Sequence, residues 1–252
     1  MNTTGDEPNI TSVTFYALLG SVGILGNGLV LVVMISIKEL RTTTNAFIIN
    51  QSVIDMMTSI LLFAMFIAPP LSVPESEPAA EFVCAIWNSK YIFWAMTVAS
   101  TFNLVLLTLE RYVAVVFPVS YRNHFSNRRT PALAAVPWII GFVYKIYWAV
   151  VNQHSNGNCD VQYTSPQLKV LAGCMTFLIT FLLPLVIMAF AYSSIEKTLR
   201  QRVDNDVAES NRRHTMNADR TPNPPANHRE RARVETALIQ VAKKQTTKYQ
   251  PH

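Results

Sequence analysis

Three sets of residues in this sequence have types and spacings that could do chemistry. Asp55 stands alone in an apolar run from about Ala46 to Leu71. In hydrocarbon, an ionised carboxylate at mid-depth costs about 2.5–3.5 kcal/mol, so it needs a polar partner, a proton or a cation. Asn27 and Ser100, each inside another apolar run, are candidate partners. A protonated structural aspartate and an ion site fit these residues equally. The second set is Glu110-Arg111, an adjacent acid and base closing a stretch that opens at Cys84; residues 85–109 carry no charge except Lys90. Neighbours on a helix do not face each other, so the pair is either a weak interfacial ion pair or a working part. Ser100 and Arg111, eleven residues apart, share one helix face. The third set is the cysteines Cys84, Cys159 and Cys174. They lack CxxC or Cys/His spacing, which leaves a structural zinc site unsupported. Cys84 and Cys159 either bridge or remain, with Cys174, as free thiols.

Catalytic patterns are missing. The sequence holds no GxSxG, HExxH, Walker-type loop or pair of intramembrane aspartates, and its five histidines are scattered through loops and tail. An enzyme is not expected. Net charge is +5, but the cations cluster in a few loops and are not interleaved with surface aromatics, so no nucleic-acid partner is expected.

The elements that must position these residues are membrane spans. Half of the 252 residues are hydrophobic, only 15% are charged, and mean hydropathy is +0.22. That composition belongs to the membrane class. Five apolar runs follow one another: about Val13–Ile37, Ala46–Leu71, Cys84–Pro118, Ala132–Val151 and Leu168–Ile195. Each is near the ~20 residues a bilayer demands, and lipid permits a single span only as a helix. The fourth run carries an unexpected Lys145, and the fifth carries Pro184 in its middle. Cations fall in the loops holding Lys38 and Arg41, then Arg122, Arg128 and Arg129, and in the tail; the other loops hold Glu75, Glu77, Glu81 and Asp160. The positive-inside rule puts the N-terminus outside and the tail in the cytoplasm. The expected fold is therefore an all-α, multi-pass membrane protein contacting lipid, with residues 1–11 an extracellular tail and 12–197 the spans and loops.

Residues 198–252 turn polar, with Pro222, Pro224 and Pro225, and read as a disordered cytoplasmic segment. Within it, Ala232 to Ala242 is weakly amphipathic. Asn2 and Asn9 begin glycosylation sequons on the expected outer side.

In this order the residues resemble the rhodopsin-like (class A) G-protein-coupled receptors. The resemblance rests on Gly26-Asn27, Asp55, Cys84, Glu110-Arg111-Tyr112 with Pro118, Trp138, Cys159, and Pro184 with Tyr192 eight residues later. It covers about residues 12–200, and residues 231–242 resemble the start of a sixth helix. It implies a plasma-membrane receptor that passes binding of an extracellular ligand to a heterotrimeric G protein. Arg111 would engage the G protein, with Glu110 holding it at rest, and Val119 would contact it from the loop. Tyr192 would swing towards Arg111 on activation, and Pro184 would mark a bulge that transmits binding. Asp55 and Ser100, supported by Asn27, would hold a sodium ion, and Cys84 would bridge Cys159.

Two departures from the family pattern carry consequences. Cys84 to Arg111 is two residues longer than usual, so the ligand-facing position is Phe93 counted from Arg111 or Tyr91 counted from Cys84. Neither is the aspartate with which amine receptors hold their ligands, and a neuropeptide is the expected ligand. The tryptophan–proline and Asn-Pro-x-x-Tyr signatures of helices six and seven do not occur, and the expectation is a receptor truncated after its fifth helix. The alternative is a non-signalling five-helix isoform that associates with full-length receptors or retains them.

Overall fold

The structure, a computed structural model, describes residues 10–37, 39, 42–68, 71–125, 128–155, 158–161, 165–220, 233, 235–237 and 239. Asn2 and Asn9 lie outside these residues. Residues 1–199 form one compact unit and 200–252 another.

Five helical stretches among the described residues are long and apolar enough to cross a membrane. The first two are α1 (Ile10–Ser36) and α2 (Thr43–Phe66). Thr42 caps α2 by accepting from the Asn45 N–H at 3.2 Å, one of the donors that a helix start leaves without a partner. The third crossing is composite: α3 (Glu77–Phe82), a π-helical segment Val83–Asn88, and α4 (Tyr91–Val116). A short α5 (Pro118–His124) precedes α6 (Thr130–Val150). The fifth crossing is α7 (Pro166–Phe177), a second π-helical segment Leu178–Leu182, and α8 (Leu183–Arg220).

Both π segments have a local cause or consequence. Pro184 has no N–H to give the preceding turn, and the Leu183 N–H instead bonds back five residues to the Leu178 carbonyl. The expected bulge at Pro184 is present. At the other site, the Ser89 N–H reaches the Cys84 carbonyl at 3.1 Å, and Lys90 then takes a left-handed conformation with φ 54°. That break separates Cys84 from the regular helix that carries Arg111.

The sequence reading did not anticipate an antiparallel hairpin of β1 (Asn152–Ser155) and β2 (Asn158–Val161), in which His154 pairs with Cys159. Its signal was present in the sequence, where Asn-Gly at 156–157 is a dipeptide that favours a hairpin. The polar segment expected to lack regular structure from residue 198 is helical as far as Arg220. Polarity alone does not break a helix. Residues 198–220 contain no Gly or Pro, are rich in helix formers, and include an ion pair between Glu209 and Arg213 one turn apart. Residues 233, 235–237 and 239, in the amphipathic stretch, are also helical.

The third crossing is the most enclosed: 39% of its most apolar window is buried, against at most 22% in any other. In lipid, burial of apolar surface does not pull helices together; close packing and polar contacts do. Small residues supply the packing. A Cβ on Gly141 of α6 would run into the Ala95 carbonyl of α4 and stand 3.0 Å from the Ala99 Cβ. Ile54, Met96 and Ala99 fill the centre, with Leu61, Ile92, Trp138 and Phe142 packed around them.

Gly141→Leu should therefore wedge α6 off α4 and cost about 1–3 kcal/mol. Thermal unfolding of the purified chain in detergent would show it as a lowered midpoint. An unchanged midpoint would show that the two helices do not pack at this point.

Candidate functional site

Three groups of polar side chains sit along α4, and the first is at its centre. Asp55 accepts from the Ser100 hydroxyl at 2.7 Å and from the Gln51 amide at 2.8 Å. Gln51 Nε2 also reaches Ser100 Oγ at 2.6 Å, and its Oε1 accepts from Asn103 Nδ2 at 2.8 Å. Asn103 is fully buried; it also donates to the Phe47 carbonyl at 3.1 Å and accepts from Asn50 Nδ2 at 2.8 Å. Asn50 in turn accepts from Trp138 Nε1 at 3.0 Å and donates to the Ala134 carbonyl at 3.1 Å. One hydrogen-bonded chain thus runs from Asp55 through α2 and α4 to Trp138 of α6.

The predicted Asp55–Ser100 contact is made. Asn27 is not part of it: its amide donates to the Gly23 carbonyl of its own helix at 2.9 Å. A one-turn backbone acceptor lies nearer to a short amide than another helix does. Asp55 and Ser100 offer oxygen atoms, the donors a hard cation takes. In this arrangement Gln51 occupies both with its N–H groups, and it was missed in the sequence because a mid-span glutamine has no diagnostic spacing. Its position one helical turn before Asp55 was the available signal.

The second group lies at the end of α4. Glu110 is completely buried and accepts at Oε1 from the Thr44 hydroxyl of α2 and the Tyr121 hydroxyl of α5, each at 2.6 Å. Arg111 is looser, with Nε 3.7 Å from Glu110 Oε2 and a side chain 53% exposed. Among the described residues none donates a hydrogen bond to Oε2. Burial first, and then the hydrogen bond and charge of Glu110, raise the pKa of the Tyr121 phenol above its ordinary value. It stays protonated and donates throughout the physiological range. Neither Thr44 nor Tyr121 was visible as a partner, since Thr44 is 66 residues away in sequence.

Around this end, Tyr112 stacks edge-on with Phe117 at 5.9 Å and approaches Phe190 of α8 at 6.1 Å. Pro118 opens α5, where the missing N–H of the first turn would have no partner anyway. Beside it Val119 is 76% exposed, with Phe117 also open. Pro184 is buried, whereas Tyr192 is exposed and has no hydrogen bond to Arg111.

The third group is at the opposite end of α4. Cys84 and Cys159 form a disulfide with Cα atoms 5.2 Å apart, which ties the π segment to the hairpin, and Cys174 is free and exposed. Phe93 packs between Phe66 and Trp94, with ring centres 5.1 and 5.2 Å away. Tyr91 donates to the Phe142 carbonyl at 2.8 Å and lines a cavity of about 280 Å³ shared with Ser89, Trp94, Lys145, Trp148 and Thr176. Of the two residues expected to face a ligand, Tyr91 lines this space, and Phe93 goes into the aromatic packing.

Comparison with known proteins agrees with this layout. The family model described as 7 transmembrane receptor (rhodopsin family) matches residues 26–242. The chain is 30% identical to cholecystokinin receptor type A of Rattus norvegicus over 207 residues, covering 78% of this chain and 46% of that receptor. It is 25% identical to the cholecystokinin receptor of Xenopus laevis, covering 77% of this chain and 44% of that one. Chemokine XC receptor 1 of Mus musculus is 30% identical, with 75% of this chain and 56% of the receptor covered. The chain spans about half the length of the curated relatives it matches.

Asn103→Leu should leave Asn50, Gln51 and the Phe47 carbonyl each short of a partner, at about 1–3 kcal/mol for a buried group so stranded. Thermal unfolding of the chain in lipid nanodiscs would read this as a lowered midpoint, larger than that caused by Asn27→Leu. Equal effects would place no special weight on the chain of bonds through Asn103.

Proposed function

Because the chain belongs to the rhodopsin family of seven-transmembrane receptors, multi-pass proteins of the plasma membrane that are receptors and not enzymes, we propose that it passes binding of an extracellular peptide to a heterotrimeric G protein. The disulfide-bonded end of α4 faces outward in this reading, and the Glu110-Arg111 end faces the cytoplasm, the orientation that the cation-rich loops favour. The relatives named for cholecystokinin and for chemokine support a peptide as the ligand.

One observation carries the switch: the two members of the pair are held very differently. Glu110 is anchored by two short hydrogen bonds, and Arg111 touches it only loosely from a half-exposed position. Arg111 is half-exposed and can exchange this contact for water or another partner, while the two hydroxyl donors keep the buried Glu110 in place. The exposed apolar shelf of Phe117 and Val119, six and eight residues after Arg111, gives a cytoplasmic partner something to pack against. Tyr192 would approach Arg111 in the active state, and the bulge at Pro184 would let the fifth crossing shift.

Asp55 and Ser100 would hold a sodium ion through their oxygen atoms, with Gln51 turning its amide N–H away. The ion would supply positive charge to a carboxylate that otherwise relies on neutral donors. Asn27 bonds elsewhere and is left out of this set.

Cells expressing the protein from its complete transcript should answer some member of a peptide library with G-protein nucleotide exchange. Arg111→Ala should reduce that response by at least about tenfold, and Glu110→Gln should raise the ligand-independent level severalfold by freeing Arg111. A response that Arg111→Ala leaves intact would sink the proposed role of the pair.

A further inference from the structure

We propose that the cavity around Lys145 binds the anionic group of an extracellular ligand, a carboxylate carried on an aromatic or apolar frame. The proposal rests on the reading of the chain as a receptor and adds the chemical class of what one part of its pocket takes.

Lys145 is the side chain that the fold leaves unexplained. It lies five residues inside the end of α6 and is only 7% exposed. A lysine near a span end ordinarily snorkels, with its ammonium in the polar interface. Here the Nζ instead stands 5.8 Å from the ring centre of Trp94, 5.5 Å from Tyr144 and 6.0 Å from Trp148. Ring faces attract an ammonium but do not replace a counter-charge in a dry site. Among the described residues no carboxylate pairs with it. The lysine and two of its three rings line a cavity of about 280 Å³.

The rest of the wall narrows the chemistry. Ser89 donates to the Ala85 carbonyl and accepts from the Tyr91 N–H. Tyr91 donates to the Phe142 carbonyl, and Thr176 accepts from Tyr144. The Ser89 and Tyr91 hydroxyl protons are thus committed within the protein, and Lys145 is, among the described residues, the one charged group lining the space. A cationic ligand would meet like charge and no carboxylate. A neutral ligand would leave the ammonium buried and unpaired, whereas a carboxylate supplies the charge-assisted hydrogen bond it lacks. The volume sits just below the usual range for a small-molecule site, about 300–1,000 Å³, so it suits one anionic side chain or fragment of a larger ligand. Trp94 and Trp148 favour an aromatic or apolar carrier for that anion.

The test uses the purified chain in nanodiscs of zwitterionic phosphatidylcholine. Trp94 and Trp148 report on the cavity through their fluorescence, and the ligands are phenylacetate and its neutral isostere phenylacetamide. Phenylacetate should perturb the fluorescence at a concentration at least about tenfold lower than the amide. Lys145→Met should abolish that difference and Lys145→Arg should retain it. Equal potency of acid and amide on the unsubstituted chain, or no response to either, would overturn the proposal without relying on any variant to fold. So would a preference for the acid that survives Lys145→Met. No G-protein signal enters the measurement, so a chain that prefers the acid but fails to couple would sink the receptor reading alone.

Discussion

The constraint on which this structure depends is the lack of water inside its spans. Every polar side chain that α4 turns inward must find its hydrogen bonds within the protein, on its own helix as Thr108 does at the Leu104 carbonyl or on another, because a buried group left without one costs more than a typical bond contributes. Asn103 shows the consequence. With three partners drawn from α2 alone, the side chains of Asn50 and Gln51 and the Phe47 carbonyl, it fixes the rotation and depth of α4 against α2. Asn50 then carries the same chain on to Trp138 and fixes α6. Apolar packing alone would leave these helices free to slide, since lipid tails are as apolar as leucine. The glycine contact at Gly141 sets how close α6 comes, and the hydrogen bonds set where.

Both ends of α4 are defined by departures from regular helix. At one end the π segment and the left-handed Lys90 uncouple the disulfide from the helix that follows, so the hairpin can be tied to Cys84 without imposing its register on Arg111. At the other end Phe117 leaves the helix and Pro118 restarts it, and the turn brings Tyr121 back onto Glu110. The buried carboxylate is held by a neighbouring helix and by the connecting segment at once. It reports the position of α4 relative to both, which is the property a switch at this point requires. Lys145 stands apart from this pattern, as a charge whose nearest neighbours are rings.

Legibility followed the range of the interaction. Asp55 with Ser100, the cysteine bridge and the bulge before Pro184 could all be named in advance. A lone carboxylate in a span demands a partner, a proline demands a local adjustment, and the family resemblance narrowed the choice among cysteines. Gln51, Asn50 and Asn103 were not singled out because asparagine and glutamine in a span carry no motif, although their number inside apolar runs was itself a signal. Thr44 and Tyr121 could not be found at all, since nothing near Glu110 in sequence points to either. Asn27 does not reach Asp55 in this structure for the converse reason: its amide donates to a local carbonyl one turn away.

By itself the sequence determined the five crossings, the groups that must be satisfied within them and the family to which they belong. Length, apolarity and the short-range needs of charge and proline decide those things residue by residue. Only the tertiary structure decided which groups satisfy which: that Gln51 shares Ser100 with Asp55, that Glu110 is gripped while Arg111 is not, and that Lys145 faces a cavity. Those outcomes turn on the rotation and depth of one helix against another. A change of a single residue in either would redirect every side chain by about 100° or 1.5 Å, and no local pattern encodes it.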